Sequence, residues 1–334
     1  MPRDDSQAHR PWLPLLAVVV VASIGFALLS DRFLTAFNVY VILSSATLLS
    51  LIGFSQLTVL GVGEFSLAVG GIGEIVSVVF GYLVVAHGLP LGPALVAGLA
   101  LGALCGAVNG VIVAASGVGG FIVTLATGGV FAGVALAMTE TAPYTGLPAA
   151  LNLFGTGRLG PLPYVLVVGV FAAVALGMMY RWRRTGRMML AIGGNAEAAQ
   201  LSGLSKTHAV VWAHALSGLL AGAAGIVATA QLHEANSSTG TGWLIQSFTI
   251  PIIGGTLLTG GEVSIVGILV ASLILATIND GLILANVTSI WVTLVEGVLV
   301  FLAVLLGRVP QWSALRRLRM AIARTAPVSA GNRT

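Results

Sequence analysis

The chain has 334 residues, of which 57% are hydrophobic and 8% are charged, and its formal net charge is +4. A soluble globular domain carries about 25% charged residues, so this composition excludes a soluble globule and predicts an all-α polytopic membrane protein. Membrane orientation places basic residues in loops and tails, so the small positive charge does not indicate nucleic-acid binding. The single cysteine, Cys105, excludes an intramolecular disulfide.

Ten apolar runs are candidates for spanning helices, which need about 20 apolar residues each. In chain order they are residues 12–30, 39–60, 67–86, 91–114, 121–139, 162–180, 209–230, 244–259, 264–285 and 289–307. The eighth run is short and interrupted by glycine, and the break between the second and third runs is barely polar. Both places are candidates for broken or re-entrant helices.

The positions of the basic residues set the expected orientation, because cytoplasmic loops are enriched in Lys and Arg. With the N-terminus in the cytoplasm, all of the 15 basic residues except Arg32 and Arg158 fall on the cytoplasmic side. We therefore expect one transmembrane domain, 1–334, with both termini in the cytoplasm. Residues 181–207 form a cytoplasmic loop and residues 308–334 a basic cytoplasmic tail.

The fourth apolar run carries four glycines at intervals of four residues. Small residues at this spacing leave a smooth stripe on one helix face, which lets a neighbouring helix approach closely. We expect this stripe to pack against another helix in the bundle. The four residues are Gly98, Gly102, Gly106 and Gly110.

The loop 181–207 has the composition of an ordinary soluble segment. Asn195 is a suitable N-cap, Glu197 favours the first helical turn, and Gly203 can end a helix in the left-handed conformation. These signals predict a short capped helix set off by a flexible glycine pair, and they favour a docking site for another protein over a plain connector. The residues assigned to this site are Gly193, Gly194, Asn195, Glu197, Ala198, Ala199, Leu201 and Gly203.

Polar side chains inside the apolar runs are candidates for a solute path. A charge near the bilayer centre costs at least roughly 2.5–3.5 kcal/mol, so such residues usually face protein or water. The alternative is that Glu64 and Glu296 lie near interfaces and that the asparagines bond neighbouring helices. The candidate path residues are Gln56, Glu64, Glu74, Asn109, Asn279 and Asp280.

A weak internal similarity relates the fourth and fifth runs to the ninth and tenth. It pairs Asn109-Gly110 with Asn279 and Gly281, and residues 123–125 with residues 292–294. The fourth run points inward and the ninth outward in the expected topology, so the similarity predicts an inverted repeat. Transporters with such repeats place the substrate path at the repeat interface.

Motifs for catalysis and for metal or nucleotide binding are absent from the sequence. There is no HExxH, GxSxG or CxxC, and the only lysine, Lys206, is not part of a glycine-rich phosphate loop. We expect no enzyme activity, no metal and no cofactor bound by this chain. If the solute moves uphill with ATP, another subunit must hydrolyse the ATP.

Six segments together carry a family resemblance over nearly the whole chain. They are VGEFSLAVG (62–70), FIVTLAT (121–127), AIGGNAEAAQLSGL (191–204), GTGW (240–243), IIGGTLLTGGEVS (252–264) and INDGL (278–282). This combination resembles the membrane permease subunit of bacterial ABC importers for ribose, xylose, galactose and similar sugars. Departures from the family pattern are Glu64 for Asp, Ala68 and Val263 for Gly, and Asp280 for Asn, together with Glu74 and Glu296.

The resemblance implies a type II ABC importer-like permease in the bacterial inner membrane that translocates a monosaccharide or similar polar solute. It implies cytoplasmic ATPase subunits that use ATP and dock on 181–207, and a periplasmic or lipid-anchored sugar-binding protein. It also implies a second permease copy, as a homodimer or with a paralogue. Two alternatives stay open: a secondary transporter coupled to protons through Glu74 or Asp280, and a branched-chain amino-acid or nucleoside permease of the same superfamily.

Overall fold

The computed structural model describes residues 12–140 and 142–288, together with residues 291, 294, 297, 298 and 301. Within these residues the chain forms twelve α-helices and one two-stranded hairpin, which confirms the all-α prediction. The basic tail 308–334 and Glu296 lie outside the described residues, as does most of the tenth apolar run.

Each of the first nine apolar runs contains a helix. The helices are α1 (Trp12–Leu29), α2 (Ala36–Leu60), α3 (Val69–Val85), α4 (Leu91–Ser116), α5 (Gly120–Thr139), α6 (Ala149–Thr156), α7 (Leu166–Trp182), α8 (Arg184–Gly194), α9 (Ala196–Leu201), α10 (Lys206–Leu232), α11 (Trp243–Ile253) and α12 (Ile265–Leu284). The hairpin pairs β1 (Arg158–Leu159) with β2 (Leu162–Pro163) in antiparallel register.

Five of these helices, α2, α4, α5, α10 and α12, are long and apolar enough to cross a membrane. The count rises to six if α7 and α8 are one broken span, because they meet at a bend of 74°. The helices α1, α3 and α11 are apolar but shorter. The eighth apolar run forms only α11 before the chain leaves the helix at Gly254, as its glycine interruption predicts.

The centre of the bundle is formed by α2 and α10, which are buried along most of their length. A helix that is apolar on every side is stable only when neighbours cover it completely. Hydroxyl groups fix the two helices in register inside this core. The Ser55 hydroxyl lies 2.9 Å from both the hydroxyl and the carbonyl oxygen of Ser217, and the Thr58 hydroxyl donates to the Ala213 carbonyl at 3.1 Å.

The glycine stripe of α4 lies against α10. A β-carbon added at Gly102 would stand 2.6 Å from the Gly218 carbonyl oxygen, and one at Gly106 would collide with the carbonyl oxygen of His214. At Gly110 it would stand 2.7 Å from the Val211 α-carbon, and at Gly98 it would stand 3.1 Å from the Ile226 side chain. The two backbones are therefore in direct contact, which only glycine permits at this distance.

The connecting segments gather at two opposite ends of the bundle. At one end the Glu64 carboxylate accepts from the Gly120 amide at 3.2 Å, and Gly261 bonds Gly61. At the other end Tyr144 and Ala235 exchange two backbone hydrogen bonds of 2.9 and 3.0 Å. The connections after α2, α4 and α11 therefore share one end of the bundle, and those after α5 and α10 share the other. Which end faces the cytoplasm stays a prediction.

Candidate functional site

A cavity of about 340 Å³ lies between α2, α10, α11 and α12. Its apolar walls are aliphatic side chains of α2 and α12, together with Trp243 at the start of α11. Its polar lining combines hydroxyls, amides and one carboxyl group. These polar residues are Ser45, Gln231, Thr241, Gln246, Asn279 and Asp280.

Asp280 is held in the cavity wall by a hydrogen bond from α2. The Asn38 side-chain nitrogen donates to Oδ2 of Asp280 at 2.7 Å and also to the Phe33 carbonyl oxygen at 3.0 Å. The Thr35 hydroxyl caps α2 by accepting from the Asn38 backbone amide. The start of α2 is thus fixed to the C-terminal half of α12, and the carboxyl group has a set position.

Gln231 reaches the cavity from the last turn of α10. Its side-chain nitrogen donates to the Ser44 hydroxyl on α2 at 2.9 Å. Because this bond fixes one end of the amide, the orientation of the whole side chain is set. The cavity therefore has a positioned amide on one side and a positioned carboxyl group on the other.

Trp243 closes the cavity next to α3. Its ring lies directly on Gly73, where an added β-carbon would collide with the indole, and its side chain is only 4% exposed. The preceding Gly242 has φ +86°, a conformation that glycine adopts without strain, and this lets the chain turn into α11. The indole therefore gives the cavity a rigid aromatic wall.

The structure separates the six predicted path residues. Asn279 and Asp280 line the cavity, and Glu74 lies beside Gly240, just before the lining residue Thr241. Glu64 follows the end of α2, and its carboxylate accepts from the amide of Gly120, the first residue of α5. The cavity thus contains two of the six.

Gln56 and Asn109 are fully buried inside the bundle, away from this cavity. Among the described residues neither side-chain amide has a hydrogen-bond partner, and the same holds for Nε2 of the buried His214. A buried amide without a partner costs roughly 1–3 kcal/mol. These groups are not part of the cavity wall.

Sequence reasoning did not identify Ser45, Gln231, Thr241, Trp243 or Gln246 as lining residues. Ser45 and Gln246 are uncharged residues inside apolar runs, where such residues are common, and Gln231, Thr241 and Trp243 lie in the connection between the seventh and eighth runs. The one available signal was the position of Thr241 and Gln246 around the short eighth run. Within the described residues no group of His, Cys, Asp and Glu could hold a metal ion.

The capped helix predicted in the loop 181–207 is α9. The Asn195 side chain accepts from the Ala198 amide at 3.0 Å, Glu197 lies in the first turn, and Gly203 follows with φ +83°. Leu201 is 91% exposed, whereas Ala199 is 7% exposed and belongs to the core. The surface that α9 offers therefore includes Leu201 and excludes Ala199.

Gly193 and Gly194 are the last residues of helix α8, and they are packed rather than a flexible spacer. A β-carbon at Gly193 would collide with the Gly61 carbonyl oxygen and stand 2.6 Å from the Gly261 nitrogen. A β-carbon added at Gly260 would stand 2.7 to 2.9 Å from Gly63 backbone atoms and the Gly193 carbonyl oxygen. We call this meeting of Gly61, Gly63, Gly193, Gly194, Gly260 and Gly261 the glycine junction.

A second cavity, of about 240 Å³, lies at the same end of the bundle as the glycine junction. It is lined by Glu64, the turn after α4 and the residues Gln200, Lys206 and Thr207. The only lysine of the chain and a candidate path acid therefore share a cavity next to α9. This cavity is separate from the one that contains Asp280.

A family model described as "Branched-chain amino acid transport system / permease component" matches residues 29–304. The ribose import permease protein of Bacillus subtilis (strain 168) is 34% identical over 300 residues, covering 89% of this chain and 92% of the relative. The D-allose transport system permease protein of Escherichia coli (strain K12) is 31% identical over 294 residues, covering 88% and 90%. The L-arabinose ABC transporter permease protein of Azospirillum brasilense is 33% identical over 293 residues, covering 86% of each chain. No solved structure matches.

Proposed function

Because this chain belongs to that permease family and is the membrane subunit of an ABC importer, we propose that it translocates a monosaccharide or similar small polar solute. As a transport subunit it binds no cofactor of its own. ATP is hydrolysed by separate subunits on the cytoplasmic face. A periplasmic or lipid-anchored binding protein delivers the solute from outside.

The cavity between α2, α10, α11 and α12 is the observation that supports this proposal. Its volume of about 340 Å³ is near the lower end of the roughly 300–1,000 Å³ typical of small-molecule sites. Hydroxyls, amides and a carboxyl group can exchange hydrogen bonds with the hydroxyls of a sugar. Trp243, which is buried against Gly73, adds an apolar boundary to the cavity.

A branched-chain amino acid is the second candidate, because the description of the family model names that cargo. Such a solute carries a carboxylate, which is usually bound by a basic side chain or by backbone amides. Asp280 can pair with the ammonium group of such a solute, but among the described residues that line the cavity none is basic, so no side chain there neutralises its carboxylate. The lining therefore favours a sugar. Family membership favours ATP-driven import over the proton-coupled alternative.

The ATPase subunits dock on the loop 181–207, on the surface of α9 that includes Glu197, Ala198 and Leu201. The 91% exposure of the Leu201 side chain supports this assignment, because the described part of the chain leaves this apolar group uncovered. Movement of α8 and α9 passes through the glycine junction to α2 and to the loop before α12. Helices α2 and α12 both line the cavity, so backbone contacts join the docking site to the solute site.

The complete permease has ten spans, an inverted repeat and cytoplasmic termini, and it works as a homodimer or with a paralogue. The alternation of connections between the two ends of the bundle supports an alternating topology. The clustering of Lys and Arg supports the orientation. In this arrangement 1–334 is a single transmembrane domain, and the half of α2 that lines the cavity lies toward the outside.

Uptake of labelled solutes tests the proposal directly. The permease is expressed together with the ATPase and the binding protein encoded next to its gene. Uptake by these cells is measured separately for labelled ribose, allose, arabinose, fructose and leucine. We expect uptake of at least one monosaccharide and its loss on ATP depletion. Accumulation of leucine alone, or loss of uptake by an uncoupler at constant ATP, would contradict the proposed function.

A further inference from the structure

Asp280 is the only acidic or basic side chain among the described residues that line the 340 Å³ cavity. The other polar lining groups are hydroxyls and amides, which carry no net charge. A single carboxylate therefore determines the electrostatic character of the whole cavity. A charge without a neutralising partner acts on any charged solute that enters.

The helices α2, α11 and α12 supply no basic group to neutralise this carboxylate, and the guanidinium of Arg158, near the start of α2, lies over the Phe37 and Tyr40 rings. The sequences of α2 and α11 contain no charged residue, and Asp280 is the only one in α12. Lys206 is on α10, but it begins that helix whereas Gln231 ends it. At 1.5 Å per residue the two positions are about 37 Å apart along the axis.

The hydrogen bond from Asn38 keeps the carboxylate at the cavity wall. It engages Oδ2 of Asp280 at 2.7 Å, while the same Asn38 nitrogen bonds the Phe33 carbonyl. Asn38 is itself buried and uncharged. The partner therefore orients the carboxylate without cancelling its charge.

We propose that Asp280 makes the cavity selective for the charge of the solute. Neutral monosaccharides and sugars that carry a protonated amine enter, and sugar acids and sugar phosphates are repelled. This inference rests on the proposed role of the cavity as a solute site, and it defines the class of solute more narrowly. Asn38 is a positioning residue that acts through Asp280.

Charged thiol reagents measure the sign of this field without any knowledge of the natural solute. Ser45 is exposed and lines the cavity, so a Ser45→Cys variant in a Cys105→Ala background places one thiol there. The full-length permease in detergent is reacted with a cationic trimethylammonium and an anionic sulfonate methanethiosulfonate. Ala150→Cys, an exposed position on α6 that does not line the cavity, is the matched control.

We expect the ratio of cationic to anionic labelling rates to be about tenfold higher at position 45 than at position 150, because a nearby unit charge favours one reagent and opposes the other. Asp280→Asn is isosteric and can still accept from Asn38, and it should bring the ratio to the control value. Asp280→Glu should keep the ratio high. Equal ratios at positions 45 and 150 would overturn the proposal, even if Asp280→Asn failed to fold.

The labelling experiment and the uptake experiment can fail separately. Labelling needs neither ATP nor a binding protein, so it reports the charge of the cavity even if no sugar is transported. A high ratio without sugar uptake would contradict the proposed function and leave the charge of the cavity established. Sugar uptake with equal labelling ratios would contradict the charge selectivity alone.

Discussion

The backbone nitrogen of Gly261 donates a hydrogen bond to the carbonyl oxygen of Gly61 at 3.2 Å, and Gly193 packs against both atoms. This arrangement brings together the end of α2, the end of α8 and the loop that precedes α12. No side chain separates the three backbones. A displacement of α8 must therefore move α2 and α12 with it, or break these contacts.

We predict that Gly193→Ala weakens the glycine junction. The new methyl group collides with the Gly61 carbonyl, and an overpacked core site costs typically 1–3 kcal/mol. The melting temperature in detergent should fall, and less solute should be transported per ATP hydrolysed. Gly194→Ala is the neighbouring control, because its β-carbon meets only the Gly261 α-carbon at 3.8 Å. Identical melting temperatures and coupling ratios for the two variants would show that the junction is not tight.

A second prediction concerns the contact of α4 with α10. Gly106→Ala should lower the melting temperature, because its β-carbon would collide with the His214 carbonyl oxygen and push α4 and α10 apart. Such overpacking typically destabilises the folded state by about 1–3 kcal/mol. Gly133→Ala is the control in α5, where nothing lies within 4 Å. Since alanine is a better helix former than glycine, Gly133→Ala should be neutral or slightly stabilising. A melting temperature for Gly106→Ala that is no lower than that of Gly133→Ala would contradict close packing of α4 against α10.

The features that sequence reasoning predicted well are those with a local signal. The Asn195 cap and the left-handed Gly203 are encoded within nine residues, and α9 forms between them. Of the ten apolar runs, the first nine each contain a helix, because a long run without charges has few alternative structures. The length of each helix was less predictable, since glycines end α11 early and a bend at Arg183 divides α7 from α8.

The cavity could not be predicted, because its walls come from four helices that are distant in sequence. Gln231 and Asn38 become informative only through their partners Ser44 and Asp280 on other helices. Ala199 shows the same limit in the docking loop. The sequence assigned it to the docking site, but the fold buries its side chain within this chain.

Leu201 gives the sharpest test of the docking surface on α9. Burying an exposed leucine contributes about 1.5–3 kcal/mol, so Leu201→Asp should weaken ATPase binding by about tenfold or more. The fold of the permease should be unchanged, because this side chain is 91% exposed. Leu159→Asp, on the exposed hairpin at the opposite end, is the matched control. Recovery of the ATPase should be measured by co-purification, and equal recovery with both variants would exclude Leu201 from the interface.

The last prediction concerns which end of the bundle faces the cytoplasm. Arg184 starts α8 at the end that contains the glycine junction, and Pro148 precedes α6 near the Tyr144–Ala235 pair at the other end. Both side chains are exposed, so a cysteine at either position can react with a water-soluble reagent. The distribution of Lys and Arg predicts that the α8 end is cytoplasmic.

In a Cys105→Ala background, Pro148→Cys should therefore be labelled in intact cells by a thiol reagent that cannot cross the membrane. Arg184→Cys should be labelled only after the cells are permeabilised, which also shows that its thiol is reactive. Because the fold places these two positions at opposite ends of the same bundle, one of them must be external if the chain spans the membrane. Labelling of Arg184→Cys in intact cells would reverse the orientation, move α9 to the outside and remove the basis for ATPase docking there.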